Sequence, residues 1–163
     1  MSRAFVKEDS DAPEAPRKRQ PSGRPNYVTP AGRAWLERKA AELSAKRLTL
    51  LAEKRMDEPR ALLLSQTELD LAYYSEQVKR SIVVDNRGID VPDVRFGAAV
   101  SVKEEDGTPR EFYIVGEDEA DADAGRLNWA SPLAGALLGA VPGKKVVVPR
   151  KSGEVVLEVI AVR

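Results

Sequence analysis

Two leucine-rich stretches of nearly equal length flank a short acidic turn, and nothing else in the chain limits its fold so tightly. The first opens on Thr29-Pro30, a capping residue followed by the proline that suits a first helical position, where no amide proton is needed. Leu36, Ala40, Leu43, Leu50 and Leu51 then recur at near-heptad spacing up to Arg55. Pro59 interrupts the pattern. From Arg60 to Val84 it resumes with Leu62, Leu63, Leu69, Leu71, Tyr74, Val78 and Ile82. Two matched amphipathic arms around a short turn bury their stripes best against each other. Residues 29–84 are therefore expected to form an antiparallel helical hairpin, a coiled coil, with arms of about 25 residues and roughly 38 Å. Trp35, Tyr73 and Tyr74 are expected to close its base as core, because aromatic stripes usually mean packing rather than a cofactor site.

The composition removes whole classes of chemistry. Among 163 residues there is no Cys and no His. A disulfide framework, a thiolate or imidazole zinc site, and a nucleophile activated by His are excluded. The formal net charge is +0, yet the balance hides a gradient: about +2 over residues 1–28, about +2 over 29–84 and about −4 over 85–163. A globally basic nucleic-acid binder is not expected, and any such contact must be a local face. No apolar run approaches the ~20 residues of a membrane span, and no signal peptide opens the chain. A cytoplasmic monomer with no membrane partner is expected. Residues 1–28 mix Pro with both signs of charge and read as a disordered tail. Its cluster of Arg17, Lys18, Arg19 and Arg24 is either solvated or a weak contact for nucleic acid or an acidic surface.

Residues 85–93 read as a polar linker with Gly88 and Pro92, and beyond them the apolar period changes from helix to strand. Val94, Phe96, Ala98, Val100 and Val102 alternate, Glu105-Asp106-Gly107 turns the chain, and a strand is expected from Arg110 to Gly116. An acidic loop with Asp118, Glu119, Asp121 and Asp123 follows; it lacks the fixed ligand register of a calcium loop. A short strand from Arg126 leads into W-A-S-P-L-A-G-A-L-L-G-A-V-P-G, which begins at Trp129. Ser131 is a good N-cap and Pro132 suits the next position. Leu133, Ala134, Leu137 and Leu138 repeat at helical spacing, and Gly139 stops them. Such a helix is too short to stand alone and must be pinned to a sheet. Strands over 144–149 and 154–162 meet at Lys151-Ser152-Gly153. The fold class is α+β, with an antiparallel sheet wrapping one short helix over 94–163.

Two surface features invite a functional reading. Arg38-Lys39, Lys46-Arg47 and Lys54-Arg55 lie about two turns apart and form one basic side of the first arm. That side is either a solvated face with partners such as Glu42 and Glu53, or one that lies along phosphates or an acidic wall. The turn itself reads Met56-Asp57-Glu58-Pro59. Adjacent carboxylates in a turn are usually cap chemistry, but here they sit at the far end of a rod.

The motifs V-R-F-G-A-A-V, F-Y-I-V-G-E-D-E-A-D, S-P-L-A-G-A-L-L-G and a final E-V-x-x-I-A-V, behind the opening T-P-x-G of Thr29, Pro30 and Gly32, closely resemble the GreA/GreB family of bacterial transcript cleavage factors. The resemblance covers residues 29–163. It implies an FKBP-like domain that docks through Ser131, Pro132 and Leu133 on the rim of the secondary channel of RNA polymerase, with the hairpin pointing at the active site. It also implies that tip carboxylates, here Asp57 and Glu58, help hold the second magnesium ion of the polymerase, so that the polymerase hydrolyses backtracked RNA. Such a factor is not itself an enzyme, holds no metal or cofactor of its own, and meets RNA and DNA only through the polymerase. Three departures matter. The family tip usually reads G-D-x-S-E-N-A, with acids three apart, whereas here they are adjacent. Each arm looks about one heptad shorter, or roughly 10 Å. Ala130 stands where some members carry an acid before Ser-Pro. A non-cleaving secondary-channel regulator is therefore an open alternative. So is a short-hairpin interaction module like those that regulate nucleoside diphosphate kinase. Peptidyl-prolyl isomerase activity would follow only from fold analogy.

Overall fold

The computed structural model describes residues 14–163. Two 23-residue helices dominate the first half: α1 over Pro30–Ala52 and α2 over Glu58–Arg80. Thr29 caps α1 by accepting from the Gly32 amide at 3.0 Å, and Asp57 caps α2 by accepting from the Arg60 amide at 3.0 Å. Contacts rise along one helix as they descend the other: Arg33 with Ser81, Trp35 with Tyr74, Arg47 with Glu68, Glu53 with Arg60. The helices are thus antiparallel, each about 34 Å long at ~1.5 Å per residue. Leu36, Leu43 and Leu50, seven residues apart, are all buried, each contributing roughly 2 kcal/mol.

The turn lies earlier than the sequence suggests. Residues 53–57 form it, and Glu58 and Pro59 already belong to α2. Pro59 does not break a helix here; it opens one, in the first turn where its missing amide proton costs nothing. The far end also differs. The expected helix up to Val84 stops at Arg80, and Ser81–Val83 turns into a strand, β2. Its partner is β1, Asn26–Val28, in parallel register, with Tyr27 opposite Ile82. The tail assigned to 1–28 is corrected here: Asn26 and Val28 are buried. Arg17, Arg19 and Arg24 contact α2, and residues 1–13 fall outside the described residues.

The second half is a five-stranded sheet in the order β5-β4-β3-β7-β6, with β3 Ala99–Glu104, β4 Pro109–Val115, β5 Arg126–Asn128, β6 Lys145–Arg150 and β7 Gly153–Val162. It is mixed rather than antiparallel: β4 and β5 run parallel, Ile114 opposite Leu127. The acidic segment between them makes a crossover in place of a hairpin. The strand expected from Val94 begins only at Ala99. Val94 instead pairs outward, donating to Ala140 and accepting from Gly139. That pairing fixes the exit of helix α3, Pro132–Leu137, at Gly139, where φ is 81°. Ala134, Leu137, Val100, Ile114, Leu157 and Val159 are wholly or almost wholly buried in one core.

Because that core closes on itself, residues 94–163 are expected to fold alone. Circular dichroism of the fragment should show strand structure with a lower melting temperature than the whole chain, since Phe96 and Trp129 lose Tyr27 from across the junction. A random-coil spectrum would contradict this.

Candidate functional site

The junction between helix pair and sheet is built from one turn of acids. Gly116 follows the last residue of β4, and the 3-10 turn Glu117–Glu119 comes directly after it. Glu119 accepts from the Thr29 amide at 3.0 Å, from the Thr29 hydroxyl, and from the Gly116 amide at 3.0 Å. Asp118 accepts from the Tyr73 hydroxyl at 2.8 Å and from Gln77 Nε2 at 2.7 Å. Glu117 accepts from the Ser22 hydroxyl at 2.6 Å. Burial, then the hydrogen bond and charge of Asp118, push the Tyr73 hydroxyl above the usual phenol range. Two glycines make the approach close enough. A Cβ on Gly32 would lie 2.1 Å from Glu119 Cδ, and one on Gly116 would lie 2.4 Å from the Tyr27 carbonyl oxygen. These residues are where the acidic loop of the sequence finds its use. Three consecutive acids behind a strand-ending glycine are the signal, but only the fold brings Thr29 and Tyr73 to them.

At the far end, the two tip acids do different jobs. Asp57 is committed to capping α2. Glu58 occupies the first helical position, exposed, and no hydrogen bond or ion pair holds it among the described residues. Arg60 sits beside them, paired with Glu53 at 2.5 Å and donating to the Arg55 carbonyl. The guanidinium is thus shared with Glu53, and Glu58 is the one tip acid left without a partner among the described residues.

The basic side of α1 is partly spent. Arg47 pairs with Glu68 of α2 at 2.8 Å and is half-buried, as is Lys39. Arg38, Lys46, Lys54 and Arg55 are exposed, and Glu53 serves Arg60 rather than this face. Trp35, expected as core, stays 36% exposed with its edge against Tyr74, which is buried.

The sheet carries a corner at the start of α3. Ser131 accepts from the Ala134 amide at 3.2 Å and so caps the helix. Leu133 packs against the core. Of the three residues read as a docking loop, only Pro132 is fully displayed. Among the described residues no group of acids is arranged to hold a metal ion, and no helix is long and apolar enough to cross a membrane.

The molecule is an α+β protein, an antiparallel helix pair joined at its base to a mixed sheet with a capped proline corner. Residues 90–163 match the family described as "Transcription elongation factor, GreA/GreB, C-term". A transcription elongation factor GreA from Chloroflexus aurantiacus is 32% identical over 154 residues, covering 86% of this chain and 98% of that protein. The chain belongs to the GreA/GreB family. The GreA of Azorhizobium caulinodans is 37% identical over 102 residues, 62% of this chain and 65% of the relative. Against that relative the chain spans just under two thirds of the length. A crystal structure of GreA factor homolog 1 from Thermus thermophilus, 18% identical, aligns over 86% of this chain and 99% of that one with a TM-score of 0.40.

Proposed function

We propose that the chain is a transcription factor that binds RNA polymerase at its secondary channel and occupies the channel without stimulating RNA cleavage strongly. The observation that carries this reading is the family match over nearly the whole length of a protein named a transcription elongation factor. Residues 94–163 act as the FKBP-like docking domain, with Pro132 as the anchor at the rim. The helix pair enters the channel, and Arg38, Lys46, Lys54 and Arg55 face its acidic wall or the phosphates of the nascent RNA.

The weak cleavage follows from the tip. Stimulation in this family is expected to need carboxylates that steady a magnesium ion held by the polymerase; a divalent ion there orients the attacking water and stabilises charge on the leaving oxygen. Here the cap at Asp57 leaves Glu58 as the free acid, with Arg60 close by. Reach falls short as well, because helices of 23 residues extend only about 34 Å.

The test is RNA hydrolysis by a stalled, backtracked polymerase. The wild-type chain should change the rate by less than about twofold, and the double variant Asp57→Asn with Glu58→Gln should behave identically. Asparagine keeps the cap while removing its charge, so folding does not confuse the comparison. Stimulation of about tenfold or more by wild type that the double variant loses would correspond to at least ~1.4 kcal/mol of transition-state stabilisation and would overturn the non-cleaving reading.

A further inference from the structure

Helix α2 uses two faces. One packs on α1 through Thr67, Leu71, Tyr74 and Val78; the other meets residues 14–25. The side-chain amide of Gln66 grips the backbone of Arg17 from both sides: Oε1 accepts from the Arg17 amide at 2.7 Å, and Nε2 donates to the Arg17 carbonyl at 3.1 Å. Such a paired contact fixes the register of an extended segment without reading its side chain. Arg19 donates to the Tyr74 hydroxyl at 3.1 Å, lies 3.7 Å from Asp70, and stacks over both tyrosines, 5.8 Å and 5.5 Å from their ring centres. Further along, Ser22 reaches across to Glu117 of the sheet unit, and Arg80 donates to the Arg24 carbonyl at 3.1 Å.

We propose that residues 14–25 are an intramolecular brace that ties the middle of α2 to the sheet unit and holds the helix pair at one angle to it. A rod fastened only at its base swings about that base. The acid turn fastens α2 at Tyr73 and Gln77. The brace adds a second fixed point at Gln66, roughly 10 Å beyond Tyr73 along the helix, and its other end returns to the acid turn at Glu117. Swinging α2 about the acid turn therefore requires the contacts at Gln66, Arg19 or Glu117 to break as well as those of Tyr73 and Gln77. Three of the four basic residues thereby acquire a use other than nucleic-acid contact: Arg19 is bound to α2, and the backbones of Arg17 and Arg24 are points of attachment.

The brace acts in the free protein, whether or not the chain binds polymerase. The chain has no cysteine, so two spin labels can be placed cleanly, at Met56→Cys on the tip and Lys151→Cys on the β6–β7 turn. Double electron–electron resonance on the full chain should give one narrow distance distribution. Its width should at least double in Gln66→Ala and in a chain lacking residues 1–23, while circular dichroism stays helical. Should the shortened chain unfold, Gln66→Ala together with Arg19→Gln carries the comparison. Unchanged widths in the folded variants would overturn the brace.

Discussion

Replacing Pro132 with aspartate is expected to weaken binding to RNA polymerase at least ~30-fold while leaving the fold intact. Pro132 is the displayed member of the corner; Ser131 is turned to the helix cap and Leu133 to the core. A small apolar anchor at the centre of an interface commonly contributes about 2 kcal/mol or more, which is the stated fold-change. Introducing a carboxylate there also forces a charge into the contact. The fold should tolerate the change, because an acid in the first turn of a helix interacts favourably with the amides and needs no particular φ. Fluorescence binding to core polymerase, with melting temperature as the control, measures both quantities. Unchanged affinity would remove the corner from the interface.

The second large effect is expected at Gly32. Alanine there places its Cβ 2.1 Å from Glu119 Cδ, so Glu119 must swing out and abandon Thr29 and the Gly116 amide. Because the released carboxylate and its donors are re-solvated at this half-buried site, the three hydrogen bonds together contribute about 3–5 kcal/mol, and alanine returns about 1 kcal/mol of helix propensity. A net loss of about 2–4 kcal/mol follows, a fall in melting temperature of roughly 5–15 °C for a chain of this size. The diagnostic is non-additivity. Glu119→Ala should cost a similar amount, and the double variant should be no less stable than Glu119→Ala alone, because the clash partner is gone. Additive losses would mean that Gly32 and Glu119 are not coupled as described.

The parts of this molecule that were legible in the chain are those written locally. Ser131-Pro132 and Thr29-Pro30 cap their helices as their residue types require, and the apolar runs over 144–149 and 154–162 form the strands β6 and β7. What escaped is what distant residues decide together. Asn26–Val28 has the polar surroundings of a tail, and it becomes a strand only because Ser81–Val83 offers it an edge. Glu117, Asp118 and Glu119 look like a solvated loop until Thr29, Tyr73 and Ser22 are brought to them. The parallel pairing of β4 and β5 follows from a crossover that strand alternation does not encode. At the tip, Asp57 and Glu58 are equivalent by composition, and helix capping separates them.

Competition inside the polymerase measures channel occupation most directly. Backtracked complexes are incubated with a fixed amount of a cleavage-competent GreA, and RNA hydrolysis is followed as this chain is added. Occupation of the same channel without strong cleavage of its own predicts a progressive fall in stimulated hydrolysis toward the unstimulated rate, and no such fall with Pro132→Asp at the same concentrations. Stimulated hydrolysis that stays constant at saturating amounts of the wild-type chain would contradict it.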